Sequence, residues 1–178
     1  MDTERRARIA VTVEGFKLPR YEEIPDVGLF LEQTVKYVNS YLSALPGAAI
    51  TGSMVGNYVK MGLVANPVKK QYDRERIAYI FFIAVVKPVL SLDQIKLFMG
   101  LQKRTYPADV AYGYFREELK NVLDVVFGLK DKLDAVGSDR MTDEKDMLRN
   151  TIITVAHKIY LDRFFEAVAN EDSRGEEA

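Results

Sequence analysis

The run IAYIFFIAVV, Ile77 to Val86, has no charged side chain in ten residues. A helix on a protein surface carries one apolar stripe, so a run that is apolar all round predicts a helix enclosed by other elements. It is too short to cross a bilayer, which takes about 20 apolar residues. Asp73 stands where an N-cap would accept free amides of the first turn, and Pro88 closes the far end. The remainder of the chain must therefore cover a central helix over 74–86. A length of 178 residues and 48% apolar content are enough to do so within a globular protein.

Helical patterns lie on both sides. Pro19 and Pro25 keep the early chain extended, and Leu31, Val35, Val38 and Leu42 then recur at helical spacing, predicting a helix over 27–42 ended by Pro46 and Gly47. Thr51 is an N-cap for a short helix over 52–61. Gly62 supplies its left-handed stop, with Leu63 folding back beneath it. Pro67 keeps the next residues extended, leaving room for one small turn or ribbon at 68–72. Ser91 and Gln94 form a capping box that starts a helix reaching about Gln102.

The segment KRTYP is the best domain boundary, separating residues 1–104 from 105–178. Beyond it Ala108, Tyr112, Phe115, Leu119, Val122, Val126, Leu129 and Leu133 alternate steps of four and three, the pattern of a heptad seam. A loop with Gly137 follows. Thr142, Asp143 and Glu144 open a second helix, acidic groups at its positive end. Its stripe is Leu148, Ile152, Val155 and Ile159, and residues 171–178 read as a frayed tail. The expected fold class is all-α, with a C-terminal helical hairpin.

Charge is distributed unevenly. Net charge is −1 overall, but residues 51–104 carry nine basic and three acidic groups, whereas 105–178 carry ten basic and sixteen acidic ones. A +6 module joined to a −6 partner is the footprint of a protein that meets phosphate through one region. Other chemistries find little support. Without cysteine there is no thiol catalysis, disulfide or thiolate metal site. His157 is the sole histidine, read as a partly buried helix residue, so no multi-histidine metal site is available. No phosphate-binding glycine loop occurs, nothing near MDTERRARIAVTVEGF has the uninterrupted apolar core of a signal peptide, and the expectation is a cytoplasmic protein that is not an enzyme, needs no cofactor and does not engage a membrane.

The order of elements from Ile50 to Met99 resembles the winged helix-turn-helix of the MerR family of transcription regulators. The matching residues are Tyr58, Gly62 and Leu63 at the recognition helix, then Lys70, Tyr72 and Asp73 at the wing. Leu90, Ser91, Leu92, Asp93 and Ile95 match at the following helix. Over most of the first hundred residues, LPRYEEIPD, SMVGNYVKMGLV, PVKKQYDRERIAYI and VLSLDQI look like the bacterial family called domain of unknown function 1836. The resemblance implies a MerR-like DNA-binding domain with no enzymatic activity. Gly56, Asn57 and Tyr58 stand where MerR proteins carry Arg-Tyr-Tyr, the wing is shorter, and SALPGAAI lengthens the connection before the recognition helix.

Independently of any family, Ser53, Asn57 and Lys60 share one face of the 52–61 helix. Asn can pair with adenine and Lys with guanine in the major groove. Lys60, Lys69, Lys70, Arg74 and Arg76, with Gln71 among them, would follow phosphates, each basic contact releasing condensed counterions. The expected function is a transcriptional regulator, in the simplest case a repressor, reading double-stranded DNA as a homodimer. Phe115, Leu119, Val122, Val126, Leu129, Ile152, Val155 and Ile159 are the expected dimerisation residues. The alternative is a helical protein-interaction module that keeps the architecture without binding DNA. The aromatic set Tyr106, Tyr112, Tyr114, Phe115, Phe127, Tyr160, Phe164 and Phe165 suits core and dimer packing, or else an effector pocket.

Overall fold

The computed structural model describes residues 3–137 and 141–175, with side chains described through Glu171. The order is α1 (Thr3–Val11), a 3-10 turn at Tyr21–Glu23, β1 (Leu29–Phe30), α2 (Leu31–Leu42), α3 (Gly52–Lys60) and β2 (Gln71–Tyr72). Then come α4 (Arg74–Val86), α5 (Leu92–Thr105), α6 (Ala108–Val126) and α7 (Asp143–Gly175). The chain is mostly helical. Its one described sheet pairs β1 and β2 antiparallel, Leu29 opposite Tyr72 and Phe30 opposite Gln71.

The apolar run forms α4, and Asp73 caps it by accepting the Arg76 amide at 3.0 Å. Between Ile77 and Val86 only Tyr79 is not fully buried, and α2, α6, α7 and β2 all pack on this helix. Two neighbouring rings divide the work of holding it. Phe81 lies 6.0 Å from Tyr37 and 5.8 Å from Tyr41 of α2, both edge-on, and 6.2 Å from Tyr112 of α6. Phe82 faces the other way, 5.1 Å from Phe98 of α5 and 5.3 Å from Phe115 of α6. Edge-to-face and tilted pairs of this kind add to the stabilisation from burial alone. The hydrophobic cluster therefore continues from the N-terminal elements across residues 104 and 105 into α6 and α7.

The N-terminal arm is tied down by polar contacts. Tyr112 donates its hydroxyl to the Pro19 carbonyl at 3.0 Å, and Arg116 Nε donates to the Leu18 carbonyl at 2.8 Å. Burial pushes the Tyr112 phenol above its ordinary range, which keeps it a donor. Arg5 and Arg8 of α1 both pair with Glu171 near the end of α7, and Arg5 also lies over the Phe164 ring.

Four boundaries differ from the sequence expectation. Residues 27–30 form a turn and β1, so α2 begins at Leu31. α5 continues to Thr105. α6 stops at Val126, because Gly128 adopts φ +73° and the last carbonyls are taken by a Schellman pair, Leu129 N–H to Asp124 O and Gly128 N–H to Val125 O. Leu129 and Leu133 leave the seam and are 40% and 39% exposed. α7 runs on to Gly175, where a frayed tail was expected; positions 138–140 of the expected loop and 176–178 of the tail lie outside the described residues.

The seam lies inside the chain. Phe115, Leu119, Val122, Ile152, Val155 and Ile159 are all buried within one chain, and Val126 packs against the same core. α6 and α7 make the most extensive helix–helix contact, so these faces cover each other within one chain. His157 is exposed on α7 rather than partly buried.

Candidate nucleic-acid interface

α3 is a short helix held at both ends. Thr51 Oγ1 accepts the Met54 amide at 3.2 Å. At the other end Gly62, at φ +73°, permits the stop in which Leu63 N–H bonds to Tyr58 O and Gly62 N–H to Val59 O. The long connection before α3 is also fixed. Asn39 of α2 both donates to the Ile50 carbonyl, at 2.8 Å, and accepts the Ile50 amide, at 2.9 Å. Lys87, at the end of α4, donates to the carbonyls of Gly47 and Ala49 at 2.9 and 2.7 Å, and burial draws its pKa below the ordinary lysine range. These clamps replace the tight turn that would otherwise set the angle between the two helices.

Held in this way, α3 buries Val55 and Tyr58, partly buries Met54 and Val59, and exposes Ser53, Gly56, Asn57 and Lys60. The expected polar face is therefore the solvent face. Asn57 makes one weak contact, 3.7 Å from Nδ2 to Met61 Sδ, which leaves its amide open to a stronger partner.

The chain from Gly62 leads into a two-residue hairpin. Val68 and Gln71 exchange backbone hydrogen bonds at 3.0 and 2.9 Å, and Lys69 and Lys70 between them have φ +49° and +64°. Positive φ at both central positions is what a type I′ turn requires, and Asn-Gly is its usual sequence. Two consecutive lysines there are strained, by about 1 kcal/mol each. Both side chains project to solvent, and among the described residues neither they nor Lys60 has an ion-pair partner. Gln71 is partly buried in β2 beside Phe30.

Arg74 and Arg76 are placed differently from expectation. Arg74 donates to the carbonyls of Ile24 and Glu22 at 2.8 and 3.3 Å, approaches Asp26 at 3.9 Å and lies over the Tyr21 ring. Arg76 donates to Asn66 O at 2.9 Å and Ala65 O at 3.3 Å and pairs with Asp73. Arg74 fastens the 22–26 loop to the start of α4, and Arg76 fastens the 65–66 backbone that leads into the hairpin, so both guanidinium groups are engaged within the chain. Lys96 of α5 was not anticipated: its ammonium lies 3.9 Å from where a side chain on Gly62 would begin, at the negative end of the α3 dipole. Its position four residues after Leu92 gave no local signal, since the partner element lies far upstream in the sequence.

Among the described residues no three His, Cys, Asp or Glu side chains are grouped to hold a metal ion, and no helix is long and apolar enough to cross a membrane. What the fold defines is a mostly helical protein with a small antiparallel ribbon and a polar, exposed short helix. The family model for Domain of unknown function (DUF1836) matches residues 19–115, more than half of the chain, and the protein belongs to that family. No curated protein and no solved structure matches the chain.

Proposed function

We propose that this protein is a DNA-binding transcriptional regulator, in the simplest case a repressor, whose N-terminal half is a MerR-like winged helix-turn-helix. α2 and α3 are the helix pair, α3 enters the major groove, and the Lys69–Lys70 hairpin is a shortened wing beside the phosphates. Ser53, Asn57 and Lys60 read base edges. The observation that carries the reading is the hairpin tip: two exposed lysines held in a strained left-handed turn, with Arg76 bracing the segment that leads into it. Strain of this kind persists where the surroundings over-determine it and tends to mark a functional surface.

An inverted-repeat operator would call for a homodimer. With the α6–α7 seam closed, the larger apolar side chains left on α7 are Leu161 and Phe165, one turn apart and 49% and 63% exposed. Phe165→Glu is then expected to shift a dimer toward monomer in sedimentation.

Fluorescence anisotropy with upstream DNA and with random duplex, at several salt concentrations, tests the main reading. Tighter binding to the former is expected, with affinity falling as salt rises by about 0.9 log units per log unit for each phosphate contact. Absence of binding at low salt would overturn it. The second reading, a protein-interaction module without DNA affinity, is favoured by the internal engagement of Arg74 and Arg76, which removes two of the expected phosphate contacts.

A further inference from the structure

Between α4, α5, α6 and the start of α7 lies a cavity of about 320 Å³. Its walls include Tyr79, Phe82, Phe98, Tyr112, Tyr114 and Phe115. We infer that this cavity is a binding site for a small, uncharged aromatic molecule of about two fused rings.

Size sets the first limit. Apolar protein cavities of about 150 Å³ admit benzene, and ligand pockets begin at about 300 Å³, so this space suits a compound and excludes a helix or strand of a partner. Chemistry sets the second. Gln102 is the buried polar group in the wall, and both ends of its amide are satisfied: Oε1 accepts from Tyr79 Oη at 3.3 Å and Nε2 donates to the Tyr106 carbonyl at 2.7 Å. The charged side chains of the lining, Glu117, Glu144 and Lys145, are exposed or half-exposed, so an ion among the rings would be desolvated without a buried partner, whereas a neutral ring meets six aromatic faces and edges. The Tyr79 hydroxyl, in a long hydrogen bond, is able to turn toward one polar atom on the ligand.

Gly113 supplies an independent observation. It lies inside α6, where glycine costs about 1 kcal/mol relative to alanine. A Cβ added to it would meet no atom within 4 Å, so packing does not require the glycine. On the cavity wall this position leaves open the space that a side chain larger than a methyl group would take. At the mouth Gly137 lies against the Tyr114 ring, with Lys145 Nζ 5.3 Å from that ring's centre.

The test is amide NMR of the full chain titrated with indole, 2-naphthol and coumarin, and with indole-3-acetate and tryptamine as charged counterparts. Saturable shifts centred on Ala111, Gly113 and Tyr114 with a neutral compound are expected, and the charged indoles should bind about a hundredfold more weakly. Gly113→Leu should fill the space, raise the melting temperature and weaken binding at least about tenfold. Gly113→Ala controls for helix propensity and should retain binding. No saturable shift with any neutral compound, shifts centred elsewhere, equal binding of the charged indoles, or unaltered binding by a folded Gly113→Leu protein would each overturn the inference. None of these readouts involves DNA, so the outcome is independent of the proposed function.

Discussion

Glu118 of α6 and Arg149 of α7 form an ion pair in which the carboxylate is completely buried and Arg149 Nε donates to Glu118 Oε1 at 2.5 Å. The hydrogen bond to Glu118 raises the Arg149 pKa further, so the guanidinium stays charged. Removing Arg149 strands a buried charge. Arg149→Ala is expected to lower unfolding free energy by about 3 kcal/mol in urea titration. The double substitution Glu118→Leu with Arg149→Met should recover most of that loss, because an apolar pair needs no compensating charge. If the single variant is as stable as the parent, the pair does not organise the α6–α7 contact.

The hairpin gives a prediction in which stability and binding move in opposite directions. Replacing Lys69 and Lys70 by Asn and Gly provides the residues that a type I′ turn favours and should stabilise the protein by about 1 kcal/mol or more. The same change removes two exposed cations. It should weaken binding to specific and random duplex alike and reduce the log–log salt slope by about 1.8, two contacts at about 0.9 each. A variant that gains stability and binds DNA unchanged would show that the lysines face solvent only.

The two Gly-Leu stops show how much of the fold was legible. Gly62-Leu63 was readable because the apolar periodicity ended there, and the structure has the expected left-handed stop. Gly128-Leu129 makes the same pair of bonds, yet Leu129 and Leu133 kept the heptad spacing, and the period masked the glycine. The exposed face of α3 was legible for a related reason: burial of Val55 and Tyr58 follows from local spacing. The roles of Arg74 and Arg76 were not legible. Their acceptors are carbonyls at 22, 24, 65 and 66, and a backbone carbonyl carries no sequence signature. α1 was missed because its one buried side chain, Ile9, gives no periodic stripe.

Asn57 separates recognition from stability. Its side chain is exposed and its contact to Met61 sulfur is weak, so Asn57→Ala should change unfolding free energy by no more than about 0.5 kcal/mol. If α3 lies in the major groove, the substitution should narrow the affinity difference between upstream and random DNA by about 1–3 kcal/mol. An unchanged difference would remove Asn57 from the reading face and move the assignment elsewhere on the molecule.

The attachment of α1 should depend on pH. Hydrogen bonding and charge from Arg5, with a further contribution from Arg8, hold the Glu171 carboxyl below its ordinary pKa. A carboxylate whose folded pKa is depressed contributes stability above its unfolded pKa and loses it as pH falls through the folded one. The contact is therefore complete at neutral pH and released below the usual carboxylate range. Amide protection factors, which allow for the intrinsic slowing of exchange in acid, should fall selectively in residues 3–11 on acidification before the α4 core responds, and Glu171→Gln should show the lower protection already at neutral pH. A uniform fall in protection across α1 and α4 would mean that the two ends of the chain unfold with the core.

Tyr58 tests what lies on the inner side of α3. The residue is buried, burial raises its pKa, and its hydroxyl has no hydrogen-bond partner among the described residues. Its backbone carbonyl, by contrast, accepts both Leu63 and Val64 amides and closes the helix. Tyr58→Phe deletes an unsatisfied buried polar atom while keeping the ring, so stability should be unchanged or higher by up to about 1 kcal/mol. Tyr58→Ala should cost about 3 kcal/mol or more through the cavity it leaves. Because the hydroxyl is inside, DNA affinity of Tyr58→Phe should equal that of the parent. A selective loss of affinity in a fully stable Tyr58→Phe protein would mean that this side chain turns outward to its ligand, and that the buried position belongs to the unliganded state alone.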